Sequence, residues 1–196
     1  MKRLLISASL AASALMPAAA HAQAIPAAVI AVVDLEKITA DCTACKAARA
    51  ALQSQITGLQ SRQQALAAPL QVEQKSIQTA VDALNGKEPD AALQARVKAF
   101  QTKQQAAEQE LTSRQQQIQA NNQYVQKQIS DKLAPIYTQV MQKRGANLMV
   151  EIGQTLASGQ TLDVTNDVLT ALNASLPSVA TTAPAQARTQ SQPQGR

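Results

Sequence analysis

The chain has 196 residues, with 18 Lys+Arg, 13 Asp+Glu and one His, for a net charge of +5. There is no Trp, and Phe100, Tyr124 and Tyr137 are the whole aromatic complement. The mild, unclustered basicity excludes a nucleic-acid binder, and the sparse large apolar residues beside abundant Ala and Gln exclude a compact sphere in favour of long helices.

Lys2 and Arg3, the apolar stretch Leu4–Leu15 and the small-x-small site Ala20-His21-Ala22 have the layout of a secretory signal, so residues 1–22 are expected to be removed. The apolar stretch is too short to span a bilayer. Cleavage takes away His21, the only His, and leaves a net charge of +3 from sixteen basic and thirteen acidic side chains. The expected location is the periplasm.

Residues 23–40 are expected to form the first part of a small body. Ile30-Ala31-Val32-Val33 lies in a β-branched run ending at Asp34 and reads as a buried strand. Asp41 is a candidate helix N-cap. Residues 41–144 then form a helical hairpin arm. Leu52, Ile56, Leu59, Gln63, Leu66, Leu70, Glu73, Ile77, Ala80 and Leu84 recur in alternating steps of four and three, the spacing of a heptad seam. Pro69 is expected to kink this helix. Asn85-Gly86-Lys87-Glu88-Pro89-Asp90 breaks it, with Gly86 suited to a left-handed C-cap, and places the tip near 85–90. At about 1.5 Å per residue the arm reaches on the order of 60 Å.

The second helix repeats the seam at Leu93, Val97, Phe100, Gln104, Ala107, Leu111, Arg114, Ile118, Asn121 and Val125. The phase then slips to Ile129, Leu133, Ile136 and Val140, a stutter that predicts this end leaves the hairpin and packs elsewhere. Pro135 is expected to add a bend. Residues 145–174 return to the body: a strand at Asn147–Ile152, a short strand at Gln160–Asp163, and a last helix capped by Asp163 or Thr165 with Val168, Leu169 and Leu172 on one face. Residues 175–196, rich in Pro, Ala, Gln, Thr and Ser, are expected to be disordered. So few short strands leave open sheet edges, which oligomerisation would cover.

Cys42-Thr43-Ala44-Cys45 is the one chemical motif. A thiol at a helix N-terminus is activated, which fits disulfide exchange. The βαβ surroundings of a thioredoxin are absent, however, and two Cys without His cannot complete a zinc site within one chain. In an oxidising compartment Cys42 and Cys45 are expected to form a local disulfide that stabilises the first turn. Without His no nucleophile–base pair suggests itself, and no Gly-rich phosphate loop or metal-ligand cluster is present. The expectation is a non-enzymatic protein with no cofactor and no metal.

From the start of the mature chain to about residue 176, the ordered features resemble the OmpH/Skp family: Ile30-Ala31-Val32-Val33-Asp34, the Gln- and Ala-rich hairpin, Leu133-Ala134-Pro135-Ile136, Leu148-Met149-Val150 and Asp163-Val164-Thr165-Asn166-Asp167-Val168-Leu169. The resemblance implies a mainly α fold with a small β body, three arms projecting from a trimerising base, and ATP-independent holding of unfolded outer-membrane β-barrel proteins. Pro69, the Cys pair and the Pro/Gln tail depart from the common pattern. Residues 41–144 carry a net +5, and Lys87, Arg96, Lys98 and Lys103 near the tip are the candidate client-binding residues. Such basic arms suit salt-sensitive capture of acidic clients, and also admit lipopolysaccharide or an anionic membrane surface as a partner. The rival readings are a periplasmic coiled-coil adaptor, which calls for flanking lipoyl-like or barrel domains, and a CxxC thiol oxidoreductase.

Overall fold

A computed structural model describes residues 25–184. Residues 1–24, which include the expected signal segment 1–22, and residues 185–196 lie outside the described residues. Strand β1 (Ile30–Val33) leads into helix α1 (Leu35–Asp41), whose N-cap Asp34 accepts the Lys37 N–H at 2.7 Å. Helices α2 (Thr43–Asp82) and α3 (Ala91–Arg144) form the arm. Strand β2 (Leu148–Glu151) and helix α4 (Thr165–Ser175) close the base.

Strands β1 and β2 pair in parallel, with Ile30 opposite Leu148 and Val33 opposite Glu151. Parallel neighbours need a long crossover, and here the whole arm serves as that connection. Below the sheet lies one apolar cluster, in which Ile38, Val168 and Leu172 are fully buried. Leu133, Ile136 and Val140 join it from α3. The stutter therefore does what its phase predicts: beyond Ile129 the apolar stripe of α3 turns from α2 to α4.

On the arm, every apolar seam residue except Ile56 is buried or half-buried. Leu59, Leu66, Leu70 and Ile77 of α2 face Phe100, Ala107, Ile118 and Val125 of α3 while most intervening positions are exposed. Of the polar seam positions, Gln63 and Arg114 are exposed, Glu73 and Gln104 half-buried and Asn121 buried. The tip turns through Asn85 and Gly86, both at positive φ, and Asp90 caps α3 by accepting the Leu93 N–H at 2.8 Å. Gly145, at φ 68, ends α3 in the left-handed conformation that lets Ala146 N–H reach the Met141 carbonyl.

Several expectations are corrected. Asp41 does not cap α2: Cys42 does, because its own backbone is non-helical (φ −55, ψ 125) and its carbonyl accepts from Lys46, while the Asp41 carboxylate is taken by Lys37 and Lys46. Helices α2 and α3 run on through Pro69 and Pro135. Each is exposed, so the carbonyl four residues earlier can turn to water. Gln160–Asp163 is not a strand. Residues Gln160–Leu162 form a 3-10 turn held by local bonds from Leu162 and Asp163 N–H, leaving Asp163 as a single bridge to Val32. Asp163 accepts the Thr165 N–H, whereas the Thr165 hydroxyl is spent on accepting the Asp34 N–H. Finally, residues 176–184 of the expected disordered tail are seated on the arm, with Leu176 and Ala183 buried. Apolar residues too few to build a domain are enough to lay a strap on a preformed groove.

Candidate functional site

The candidate surface is the arm. Its helices are held in register by charges that cross the seam. Arg96 Nε donates to Glu73 Oε1 at 2.7 Å, and its Nη2 donates to Ser76 Oγ at 2.7 Å. Nearer the root, Arg62 grips both oxygens of Glu110 at 2.8 Å, and Arg114 adds a third bond at 2.8 Å from the next turn of α3.

This separates the four candidate cations. Arg96 is engaged in bracing the hairpin. Lys87, Lys98 and Lys103 are exposed and make no ion pair among the described residues. Lys103 stands at the rim of a hollow of about 370 Å³ floored by Leu66, Leu70 and Ala107, with Pro69 on one wall. Lys98 borders another, of about 440 Å³, with Val81, Leu93 and Val97. The arm thus sets shallow apolar patches beside unpaired positive charge.

The two guanidiniums beside Glu110 lower its pKa from 4.5 to about 2, chiefly through the hydrogen bonds from Arg62 and then Arg114. Arg96 likewise holds Glu73 below the ordinary range. A depressed carboxyl pKa contributes stability that is complete above the unfolded value and is lost as pH falls through the folded one. The Glu110 bridge should therefore persist at pH 5 and loosen between about 4.5 and 2. Amide exchange of Leu59–Leu66 should speed up across that window, and Glu110→Gln should flatten the dependence.

At the root, the arm is tied to the chain's own C-terminal segment. Asn121, buried on the seam, donates to Gln55 Oε1 at 2.8 Å and accepts the Ala183 N–H at 2.8 Å. Gln55 in turn donates to the Thr181 carbonyl at 3.1 Å. The Gln128 amide donates to the Ala180 carbonyl at 2.8 Å and accepts the Ala180 N–H at 3.0 Å. Reading the sequence for charge missed this network. A polar Asn at a seam position was the available signal.

Cys42 and Cys45 are joined by a disulfide at the start of α2, and both side chains are buried in the base. Cys42 Sγ also accepts the Cys45 N–H at 3.2 Å. Among the described residues no group of three His, Cys, Asp or Glu could hold a metal, and no helix is long and apolar enough to cross a membrane.

The profile of the outer membrane protein (OmpH-like) family matches residues 29–172, the span from the first strand to the buried end of α4. The chain belongs to the OmpH-like family. No curated protein sequence matches it. Among solved structures, a proposed outer membrane chaperone (OmpH-like) from Caulobacter crescentus CB15 superposes with a TM-score of 0.66 at 18% identity, covering 80% of this chain and 90% of that one. At that identity the likeness establishes the shared OmpH-like fold: mostly helical, with a small strand pair at the base.

Proposed function

We propose that this OmpH-like protein is a non-enzymatic, ATP-independent holdase of the periplasm that binds unfolded outer-membrane β-barrel proteins and keeps them from aggregating. The observation that carries the reading is the separation of arm from core. No residue between 60 and 115 belongs to the base cluster, so the outer part of the two helices, roughly 35 Å long, projects without contributing to it. An unfolded chain meets narrow apolar patches beside exposed Lys87, Lys98 and Lys103. Weak contacts at many points hold such a client while letting it rearrange and leave.

Homotrimerisation fits the base. Two paired strands are too few to be stable unsupported, and Val29, Ile30 and Leu148 expose apolar side chains at the sheet. The family and the similar structure support the chaperone class. The buried sulfurs of Cys42 and Cys45 disfavour thiol exchange, which requires a partner thiolate to reach one of them.

The test is light scattering of a urea-unfolded outer-membrane β-barrel protein diluted into the full chain. Scattering should be suppressed at near-stoichiometric trimer. Undiminished scattering from a folded preparation would defeat the reading and favour a coiled-coil adaptor.

A further inference from the structure

We infer that the groove at the arm root is a binding site for extended polypeptide, occupied in cis by residues 176–184 as a pseudo-client and opened when an unfolded segment displaces them. The inference rests on the holdase reading and assigns it a site.

Three observations carry it. The strap has no helix or strand of its own, yet Ala183 is buried as deeply as a core residue, and the strap starts from Leu176, a member of the base cluster, with Val179 packed against that cluster. Gln55, Asn121 and Gln128 make four hydrogen bonds with strap main chain: they accept the N–H groups of Ala180 and Ala183 and donate to the carbonyls of Ala180 and Thr181. A side-chain amide carries one carbonyl acceptor and N–H donors, so Gln128 pairs with Ala180 much as a neighbouring strand would. Recognition of this kind reads backbone and small apolar side chains, not a particular sequence, and an unfolded β-barrel strand presents both. Lastly, the groove continues past the strap. From Thr182 an open hollow of about 660 Å³ runs between Leu59 of α2 and Ile118 of α3 toward Glu110.

A site covered by its own segment binds in trans with an affinity reduced by the fraction of time it is open. Strap and client therefore compete, and release of the strap is coupled to capture.

The test uses the full chain and leaves the groove untouched. Ala180→Pro removes the N–H given to Gln128, and Ala183→Asp cannot be buried where Ala183 sits. The probe is a dye-labelled peptide with the sequence of residues 176–184. The double variant should bind it at least about tenfold more tightly than the unmodified chain does. An unfolded β-barrel protein should displace it. In the unmodified chain the same client should abolish exchange protection of the Ala180 and Ala183 amides, while Val164 N–H, bonded to Val32 in the base, stays protected.

Failure of the folded double variant to bind the peptide would overturn the site. Suppressed aggregation with the peptide left in place would overturn the groove's occupant while leaving the holdase reading intact. A rise in mass with concentration, lost in the double variant, would give the groove to the strap of a second copy and also overturn the inference. Absence of suppression by both forms would defeat the holdase reading, and the client assignment with it.

Discussion

Deleting residues 60–115 and joining Leu59 to Gln116 through a short glycine-rich turn is expected to abolish suppression of β-barrel aggregation while the base stays folded. The geometry favours the join. Gln55 bonds Asn121 and Arg62 bonds Glu110 across the seam, so the cut ends are neighbours on facing helices. The apolar cluster draws on residues 31–45 and 129–179 and loses none of its members. Exchange protection of Val164 N–H should therefore survive, and light scattering should rise to the level without protein. Retained suppression by the armless form would place client binding on the base and defeat the arm reading. Retained protection matters as much, because loss of both would report only misfolding.

Leu172→Ala is expected to have the opposite signature, a weakened base. Leu172 is fully buried between α1, α3 and β1, in a cluster with Ile38 and Val168. Truncating such a side chain removes apolar burial and leaves a cavity in a close-packed interior, at a cost of about 3 kcal/mol. For a chain of this size that corresponds to a fall in Tm of roughly 6–12 °C, compared at fixed protein concentration because assembly shifts apparent stability. Urea denaturation with Val164 N–H exchange as the local probe checks it. Leu70→Ala, at a half-buried seam position, should cost distinctly less and leave Val164 protection unchanged, since the arm opens locally without the base. Equal effects of the two would mean that arm and base unfold as one unit.

The contrast between these variants follows from how the molecule is built. A heptad seam between two helices buries only a narrow stripe: Phe100, Ala107 and Val125 are buried on it, while its α2 members stay partly exposed. The base gathers side chains from both ends of the chain and closes over Ile38, Val168 and Leu172 completely. Stability therefore resides where the ends meet, and the binding surface projects from it.

Much of this was legible in the residues. Alternating steps of four and three placed the arm's seam on Leu66, Leu70, Phe100 and Val125, because a helix repeats its faces at a fixed angle whatever lies nearby. Gly145 ends α3 because glycine adopts left-handed backbone readily, whereas α2 stops at Asp82 with Ala83 as its cap, and Gly86 takes its positive φ in the turn beyond, not at the C-cap expected of it. The slip of phase after Val125 announced that α3 changes partner before that partner could be named.

The rest needed the tertiary structure. Whether Arg96 is free or spent depends on Glu73, twenty-three residues away and opposite it only once the hairpin has closed. The strap depends on Gln55, Asn121 and Gln128, from two helices, aligning their amides with main chain near the far end of the sequence. Local composition determines what a segment can do alone, and residues 176–184 alone bury too little to hold a shape. Only the folded arm supplies the groove that orders them.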